Sequence, residues 1–509
     1  MKILLVGIYD TVTVSLAPYV LRSYAEQFPV ASQFEIITKE FSIFNQSVEE
    51  MTVEIQKEKP DVVGFSVYVW NANEVFEIIP SLGAFVIIGG PHVTSIEKKL
   101  LEENPGIDAV VTGEGEIVFK ELLDFFAKEK KLEDIPGITT REFHTPPRKD
   151  CVELDSIPAF YERLFREHPG VEWIGFETSR GCLMNCKYCV WSTSRKMRTY
   201  SLERVKRDLD IILNQASLKH IYFCDSNILL GRKRAKEIFS YLISRNTPKS
   251  ICYEFHPDQL DDEMIERLSQ LPHQEFNFGI QSVNPQVLKR MSRHFDRDVF
   301  LRTLEKVARF FSESQITVDL IYGLPGDNLE GYKASLDYAM SLEGVGRILT
   351  NPLIVLPGSG YWYEKDKYGI KLQDETSYLL KENATFTEKE MSLAREYSFY
   401  VSVLYLNRQL KKAFQAYVRS GQKGYLETLV EMMKVFFDPF VQEEFPDMIP
   451  SIREGYEKRN RVFQSVIERY DEWVEHFKQS TEHAFDRELE GYRDSFSPHY
   501  YKLKAFAGL

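Results

Sequence analysis

Short apolar runs alternate with amphipathic stretches along the first part of this 509-residue chain, and this alternation limits the possible folds more than any other feature. The runs lie at residues 3–6, 34–38, 62–66, 85–88 and 109–112. Strands that alternate with helices predict an α/β fold with a doubly wound parallel sheet. Ligands of such sheets bind beyond the carboxyl ends of the strands, so the loops after these runs are candidate binding loops.

A second series of β-prone runs, also separated by helical stretches, begins at residue 173. Its members lie at residues 173–176, 221–224, 251–255, 276–280, 316–322 and 348–355. Six strands of this kind predict a partial (β/α)6 barrel, whose functional residues come from the carboxyl ends of the strands.

Composition separates these two regions and predicts a further one. Residues 136–170 contain five prolines and few periodic apolar positions, which is typical of a linker. From residue 361 the pattern turns helical, with one apolar stripe along residues 462–477. We therefore predict four parts: a doubly wound domain at 1–135, a linker at 136–170, a partial barrel at 171–360 and a helical C-terminal domain at 361–509.

Three cysteines stand close together directly after the first strand of the predicted barrel. The segment reads WIGFETSRGCLMNCKYCVW and carries Cys182, Cys186 and Cys189. Three thiols are one short of the four ligands of a structural zinc site or a fully protein-ligated iron–sulfur cluster. The residues leave three interpretations open: a cubane with one iron free for another ligand, a zinc knuckle completed by His256 or Cys224, or three cysteines that merely pack.

Charge and hydropathy exclude several classes of function. The chain has 63 basic and 76 acidic residues, a net charge of −13, so a nucleic acid is not an expected partner. We predict no signal peptide and no membrane span, because no apolar run approaches the required length. Six cysteines in so long a chain do not predict a disulfide framework.

The spacing Cys-x3-Cys-x2-Cys, with Tyr188 before the last cysteine, resembles the cluster loop of the radical S-adenosylmethionine (SAM) enzymes. The runs GIQSVNPQVLKRMSR and DLIYGLPGD are similar to the subgroup with a C-terminal helical domain of unknown function. This resemblance implies a 4Fe–4S cluster on the three cysteines and SAM on its open iron. It also implies a catalytic role for Asp225, which would recognise the SAM amino group. The Gly-Gly-Glu motif that is usual at this place in the family is absent. The further SAM contacts that it implies are Tyr188, Gln281, Ser282, Arg293, Gly323, Pro325 and Val355.

The first region resembles the cobalamin-binding domain that precedes many radical SAM modules, through the runs FSVYVWN, IGGPHVT and VTGEGE. The loop after the first strand lacks the histidine of cobalamin mutases, since Thr11, Val12 and Thr13 follow Asp10. The resemblance therefore implies cobalamin without a protein imidazole on cobalt. Its contacts would be Tyr9, Asp10, Ser66, Tyr68, Trp70, Asn71, Gly89, Gly90, Pro91, His92, Thr94, Gly113, Glu114 and Glu116. A flavodoxin-like domain without the cofactor is the alternative.

Together the two resemblances imply a cobalamin-dependent radical SAM enzyme, most simply a methyltransferase that acts on an unactivated carbon of a natural product, lipid or peptide. A radical cyclase or rearrangement enzyme that uses cobalamin is one alternative, and a non-catalytic cobalamin sensor is another. The expected partners are a small-molecule or peptide substrate and an external one-electron reductant such as flavodoxin or ferredoxin. Unpaired thiols and an oxygen-labile cluster suit a reducing cytoplasm.

Overall fold

The computed structural model describes residues 1–434, apart from 10–13, 44, 194–195, 272–273, 375–376, 407, 420 and 422. The apolar stripe predicted at residues 462–477 lies outside the described residues. Asp10, a predicted cobalamin contact, also lies outside them.

The first sheet has six strands in the order β2-β1-β3-β4-β5-β6, all parallel except β6, which pairs antiparallel with β5. The strands are β1 Lys2–Tyr9, β2 Glu35–Ser42, β3 Val62–Ser66, β4 Phe85–Gly89, β5 Ala109–Val111 and β6 Ile138–Thr139. The helices that join them are α1 Ala17–Ala25, α2 Val48–Lys57, α3 Ala72–Ile78, α4 Glu97–Glu103 and α5 Gly115–Phe126. Strand β1 is buried along residues 3–8, because helices cover both faces of a parallel sheet. The doubly wound sheet predicted from the sequence is confirmed.

The second sheet has six parallel strands in the order β14-β13-β12-β11-β10-β7. Its strands are β7 Trp173–Phe176, β10 His220–Phe223, β11 Ser250–Phe255, β12 Gln274–Gln281, β13 Ile316–Tyr322 and β14 Arg347–Pro352, and a small antiparallel ribbon is formed by β8 Ser179–Arg180 and β9 Arg198–Thr199. The helices are α6 Tyr161–Glu167, α7 Leu202–Asn214, α8 Arg232–Ser244, α9 Asp262–Leu268, α10 Pro285–Arg290, α11 Arg297–Phe310 and α12 Leu329–Ser341. The outer strands β7 and β14 do not pair within the described residues, so the sheet is open, as a partial barrel requires.

One face of the second sheet is apolar and the other is mixed. In β11, residues 251, 253 and 255 are buried while 250, 252 and 254 are partly accessible. Because successive side chains of a strand point to opposite faces, the first set packs against the surrounding helices and the second set faces inward. The inward face carries polar groups, which positions them for a ligand and not for the core.

A C-terminal segment packs against the open edge at β14. It contains α13 Gly360–Tyr363, α14 Lys365–Tyr368, the hairpin β15 Lys371–Leu372 with β16 Leu380–Glu382, and the helices α15 Glu388–Leu406, α16 Arg408–Arg419 and α17 Tyr425–Met432. Helix α15 lies on β14, and α17 lies on α12 and α15. The helical pattern expected from residue 361 is present in this segment, but the β15–β16 hairpin was not predicted.

Residues of the predicted linker join the two sheets closely. The hairpin that contains β6 adds to the first sheet beyond residue 135, and α6 packs in the same apolar core as Tyr19 of α1. Glu167 of α6 accepts hydrogen bonds from the Tyr19 hydroxyl at 3.0 Å and from the Thr38 hydroxyl at 2.8 Å. These contacts hold the first sheet against the second.

Candidate active site between the two sheets

The cysteine loop follows β8 and is fixed from two sides. It turns at Gly181, whose φ of 90° favours glycine. The Lys187 amide donates to the Met291 carbonyl at 3.1 Å, and the Lys187 carbonyl accepts from the Tyr361 amide at 2.9 Å. The loop therefore contacts both the region after α10 and the C-terminal segment.

The donor set of this loop suits an iron–sulfur cluster. Cys182 and Cys186 are buried and Cys189 is partly accessible. Thiolates are the ligands of such clusters, and three of them leave one iron open. Within the described ranges no group of three or more His, Cys, Asp or Glu side chains stands ready to hold a metal ion, so the thiols do not already surround one point. The assignment of Cys182, Cys186 and Cys189 to the cluster stays a prediction. The chemistry of the three thiols is consistent with it.

The two residues considered as a fourth zinc ligand are engaged elsewhere. The His256 ring contacts the His294 carbonyl at 2.9 Å through Nε2, and its Nδ1 accepts from the Asp258 amide at 3.4 Å. The partly accessible Cys224 thiol contacts the Tyr222 carbonyl at 3.7 Å, and desolvation by the surrounding protein raises its pKa. A thiol with a raised pKa is a poor metal ligand, because the thiolate is the form that binds.

Arg293 connects the cysteine loop to the second sheet. Its guanidinium lies 3.7 Å from the Cys186 sulfur and 3.2 Å from the Tyr188 hydroxyl, and it also donates to the Gly279 carbonyl. Thus the predicted residues Tyr188 and Arg293 do come together beside the cluster cysteines. A guanidinium at this place presents donors that match a carboxylate.

The carboxyl end of β12 is irregular at the predicted residues Gln281 and Ser282. A bulge shifts the pairing with β13 between Gly279 and Gln281, and Gln281 has a φ of 65°. Positive φ is uncommon for a residue with a side chain, and such strain concentrates at functional sites. Ser282 is fully buried, and its hydroxyl accepts from the Asn284 amide at 3.1 Å, so it holds the loop in place.

Asp225 lies at the end of β10 and is almost fully buried. Its carboxylate accepts hydrogen bonds from the Thr178 amide at 3.1 Å, from the Thr178 hydroxyl at 2.7 Å and from the Ser179 hydroxyl. Burial raises the pKa of the Asp225 carboxyl. Since a carboxylate offers about four acceptor positions, one remains for a further donor such as an ammonium group.

The other predicted SAM contacts lie along the boundary with the C-terminal segment. Gly323 has a φ of 82°, and a Cβ there would lie 2.7 Å from Cδ2 of Leu380. The side-chain amide of Asn383 donates to the Gly323 carbonyl at 2.8 Å, and the backbone amide of Val355 donates to the Tyr378 carbonyl at 2.9 Å. The last two predicted contacts, Pro325 and Val355, are buried. In this structure Gly323 and Val355 contact the C-terminal segment and help to seat it.

A cavity of about 150 Å³ lies on the first sheet, between the strand ends and helices α1 and α5. Its wall is mostly apolar and includes five glycines, namely Gly64, Gly89, Gly90, Gly113 and Gly115. A Cβ on Gly90 would lie 2.5 Å from the Val67 carbonyl oxygen, and one on Gly115 would lie 2.9 Å from Cδ2 of Leu21. Glycines thus keep open a slot that suits a flat apolar ring. Cobalamin carries such a ring in its benzimidazole nucleotide, so the residues fit this cofactor.

The predicted contacts on the first sheet divide into accessible and enclosed residues. Trp70 is 44% exposed and stacks on Tyr68 with ring centroids 4.4 Å apart. Asn71 is fully buried, and its amide donates to the Ile8 and Ser66 carbonyls at 2.9 and 3.0 Å. His92 is buried against the ring of Tyr378, and this burial lowers its pKa to about 4. Asn71 and His92 therefore hold the loops, while the more accessible predicted contacts are Tyr9, Ser66, Tyr68, Trp70, Pro91 and Thr94.

Two of the predicted contacts, Glu114 and Glu116, form ion pairs with the segment that leads into the cysteine loop. Arg180 contacts Glu116 at 2.7 Å, Glu177 at 3.0 Å and Glu114 at 3.7 Å. Arg198 of β9 also pairs with Glu114. The carboxyl end of β5 is thereby joined to the start of the cysteine loop. The sequence analysis did not identify Arg180 or Glu177, although an arginine directly before Gly-Cys was a possible signal.

Comparison with known proteins identifies both halves of this arrangement. The sequence model of the Radical SAM superfamily matches residues 176–339, and that of the B12 binding domain matches residues 18–123. The chain is a radical SAM protein with a B12 binding domain. The predicted cofactors, namely a 4Fe–4S cluster, SAM and cobalamin, are those of this pair of domains.

Three relatives illustrate the similarity of this radical SAM protein to known proteins. An uncharacterized methyltransferase from Pyrococcus horikoshii is 29% identical over 304 residues, covering 57% of this chain and 66% of the relative. The cobalamin-dependent radical SAM methyltransferase TokK from Streptomyces tokunonensis is 23% identical, with 76% and 60% covered. The solved structure of the cobalamin-dependent SAM radical enzyme OxsB, with aqua-cobalamin and SAM bound, matches with a TM-score of 0.63 at 15% identity, covering 93% of this chain and 81% of OxsB. The chain spans between 53% and 66% of the first curated relatives that it matches.

The inward face of the second sheet of this radical SAM protein carries acidic groups that were not predicted. Glu254 on β11 lies opposite Asn277 of β12, and Asp319 on β13 lies opposite Gly279. Burial, together with the nearby charge of Glu254, raises the pKa of Asp319 to about 7. The signal was the polar alternation within these strands, which the sequence analysis did not use.

Within the described part of the chain, no helix is both long and apolar enough to cross a lipid bilayer.

Proposed function

We propose that this protein is a cobalamin-dependent radical SAM methyltransferase that acts on an unactivated carbon of a natural product, lipid or peptide. The observation that carries the proposal is the ion-pair network of Arg180, Glu116 and Glu177, which brings the carboxyl end of the first sheet to the start of the cysteine loop. Both kinds of sheet place their ligands at the carboxyl ends of strands. A substrate held between the two ends would face both cofactors.

When bound, the cluster supplies an electron for the cleavage of SAM and cobalamin carries the methyl group. The residues of the chain position these groups. Cys182, Cys186 and Cys189 would hold the cluster, and the guanidinium of Arg293 is placed for the SAM carboxylate beside it. The remaining acceptor position of Asp225 is suited to the SAM amino group. Positioning of this kind accounts for much of an enzyme's rate enhancement.

The first sheet supports the cobalamin half of the proposal. Gly64 and Gly115 keep the slot open, and the accessible loop residues Tyr68 and Trp70 lie after β3. The loop after β1 contains no histidine between Asp10 and Thr13, so we expect no imidazole on cobalt from this place.

The proposal is tested with protein that is produced anaerobically with cobalamin, reconstituted with iron and sulfide, and then reduced. We expect 5'-deoxyadenosine from SAM and methylcobalamin in the same sample. Asp225→Ala should lower deoxyadenosine formation while bound cobalamin is retained, because Asp225 belongs to the second sheet alone. Asp210→Ala serves as the control, since this carboxylate is 41% exposed and pairs with Arg245.

The outcomes separate the three functions. Cobalamin binding without deoxyadenosine or methylcobalamin under any reductant would contradict the enzyme and favour the sensor. Deoxyadenosine without methylcobalamin would favour cyclisation or rearrangement over methyl transfer.

We infer that an external one-electron reductant such as flavodoxin or ferredoxin serves the cluster. A reducing cytoplasm suits this chemistry, because all six cysteines are free thiols in the structure. Incubation of the oxidised cluster with reduced flavodoxin, followed by electron paramagnetic resonance, checks the electron transfer.

A further inference from the structure

A cavity of about 620 Å³ lies where the loop after β4 meets the C-terminal segment. This volume is within the range of small-molecule sites, which is about 300–1,000 Å³. One side is formed by residues 95–99 at the start of α4, and the other by Trp362, Lys365, Leu372 and Tyr378. The residues predicted to bind the three cofactors do not line it.

The wall of the cavity is basic, although the whole chain has a net charge of −13. Lys98, Lys99 and Lys365 line it together with one carboxylate, Glu97. The Glu97 carboxylate accepts a hydrogen bond from the Ser95 amide at 3.0 Å, so part of its acceptor capacity is used within its own loop. The lining therefore has an excess of positive charge.

Lys365 is held at the cavity by an aromatic ring. Its ammonium lies 3.5 Å from the centroid of the Trp362 indole, which is a cation–π contact. Burial lowers the pKa of Lys365; the carboxylate of Asp366 opposes this shift, and the positive charge of Lys99 adds to it. The Lys99 ammonium also lies 3.7 Å from the Glu103 carboxylate, and an anion bound between Lys99 and Lys365 would be attracted by both ammonium groups.

The cavity adjoins the segment that fixes the cysteine loop. The Tyr361 amide donates to the Lys187 carbonyl at 2.9 Å, and the next residue, Trp362, lines the cavity. A Cβ on Gly358 would lie 3.6 Å from Cγ2 of Thr94, and the Ser95 and Tyr363 hydroxyls are 2.8 Å apart. A ligand of the cavity therefore lies beside the carboxyl end of the first sheet and one residue from the contact with the cluster loop.

We propose that this cavity binds the anionic end of the substrate, a carboxylate or phosphate next to an aromatic or apolar group. The lysines contribute the countercharge, and Trp362, Leu372 and Tyr378 contribute the apolar wall. This inference rests on the proposed function, because only an enzyme has a substrate. Binding of an anion to the cavity is measurable without turnover.

The test is calorimetric titration of anaerobic, cobalamin-loaded and cluster-loaded protein with phenyl phosphate, benzoate and the neutral benzyl alcohol. We expect one of the two anions to bind more tightly than benzyl alcohol, and which one binds distinguishes phosphate from carboxylate. Lys365→Gln should weaken that binding about tenfold, since a charge-assisted hydrogen bond contributes roughly 1.4 kcal/mol or more. Lys367→Gln is the matched control, because Lys367 belongs to the same short helix, is 61% exposed and lies 3.5 Å from Glu364.

Lys98→Gln provides a second variant in case Lys365→Gln does not fold, which the melting temperature of each variant reports. Equal affinity of benzyl alcohol and both anions would overturn the proposal, as would equal affinity of the Lys365→Gln and Lys367→Gln variants. Neither result affects the proposed methyl transfer, since SAM cleavage and methylcobalamin are measured separately. Conversely, a protein that binds the anion but never cleaves SAM would support the anion site and refute the proposed methyltransferase.

Discussion

Replacement of Arg180 by methionine should destabilise the contact between the two sheets, because it leaves the buried carboxylate of Glu116 and the partly buried carboxylate of Glu177 without their shared cation. Arg180 lies 2.7 Å from Glu116 and 3.0 Å from Glu177. Methionine keeps most of the length of the side chain and removes the charge. The loss therefore reports the ion pairs more than the packing.

The burial of these side chains sets the magnitude. The side chains of Arg180, Glu116 and Glu177 are 15%, 4% and 22% exposed. Removal of one partner from a buried ion pair costs about 3–5 kcal/mol. Burial already raises the pKa of Glu177, so this carboxyl takes up a proton more readily and limits the loss. We expect about 3 kcal/mol, the lower end of that range.

The assay is thermal unfolding of the cofactor-loaded protein, followed by circular dichroism. A change of 1 kcal/mol shifts the melting temperature by roughly 2–4 °C in a domain of 150–250 residues, so we expect a decrease of roughly 6 °C or more. The control is Lys219→Gln, which breaks an exposed pair with Glu172 whose side chains are 61% and 52% exposed. Such pairs contribute about 1 kcal/mol or less.

A double variant separates the ion pair from other effects. If Arg180→Met is destabilising because it isolates Glu116, then the further change Glu116→Gln should recover part of the stability. The reasoning would be refuted if Arg180→Met lowered the melting temperature no more than Lys219→Gln does. It would also be refuted if the two changes at Arg180 and Glu116 were simply additive.

Three further predictions concern the first sheet and its cofactor. Burial raises the pKa of Glu40 from 4.5 to about 8, so the folded state binds more protons than the unfolded state between these values, and stability falls as the pH rises through this window. Glu40→Gln should therefore raise the melting temperature near pH 9 and leave it nearly unchanged near pH 4. An equal gain at both pH values would contradict this expectation. Gly64→Leu should fill the slot on the first sheet and abolish cobalamin retention on gel filtration, while the iron content stays unchanged. Gly83→Leu is the control and should retain cobalamin, because a Cβ at Gly83 would have no neighbour within 4 Å. Electron paramagnetic resonance of the cob(II)alamin form should show no nitrogen splitting from a protein imidazole, and its appearance would contradict the reading of the loop after β1.

The strands could be predicted from the sequence, because their signal is local. Apolar runs of four to eight residues between turn residues identify buried parallel strands, and both sheets contain the strands expected from that pattern. The cluster cysteines were likewise identifiable from one short segment, since their spacing lies within a single loop.

What the sequence could not determine is which side chains face a ligand and which are enclosed. Asn71 and Gly323 belong to loops that match cofactor motifs, yet the first ties strand ends together and the second makes room for Leu380. Such roles depend on neighbours that are distant in the chain, so periodicity carries no information about them.

The contact between the halves was decided by the tertiary structure alone. Arg180 and Glu116 are 64 residues apart along the sequence, and nothing local to either residue indicates the other. The basic cavity is also assembled from two remote segments, around Lys99 and Lys365. The sequence shows which residues carry charges or thiols. Their burial and their partners are determined only when the two sheets pack with their carboxyl ends together.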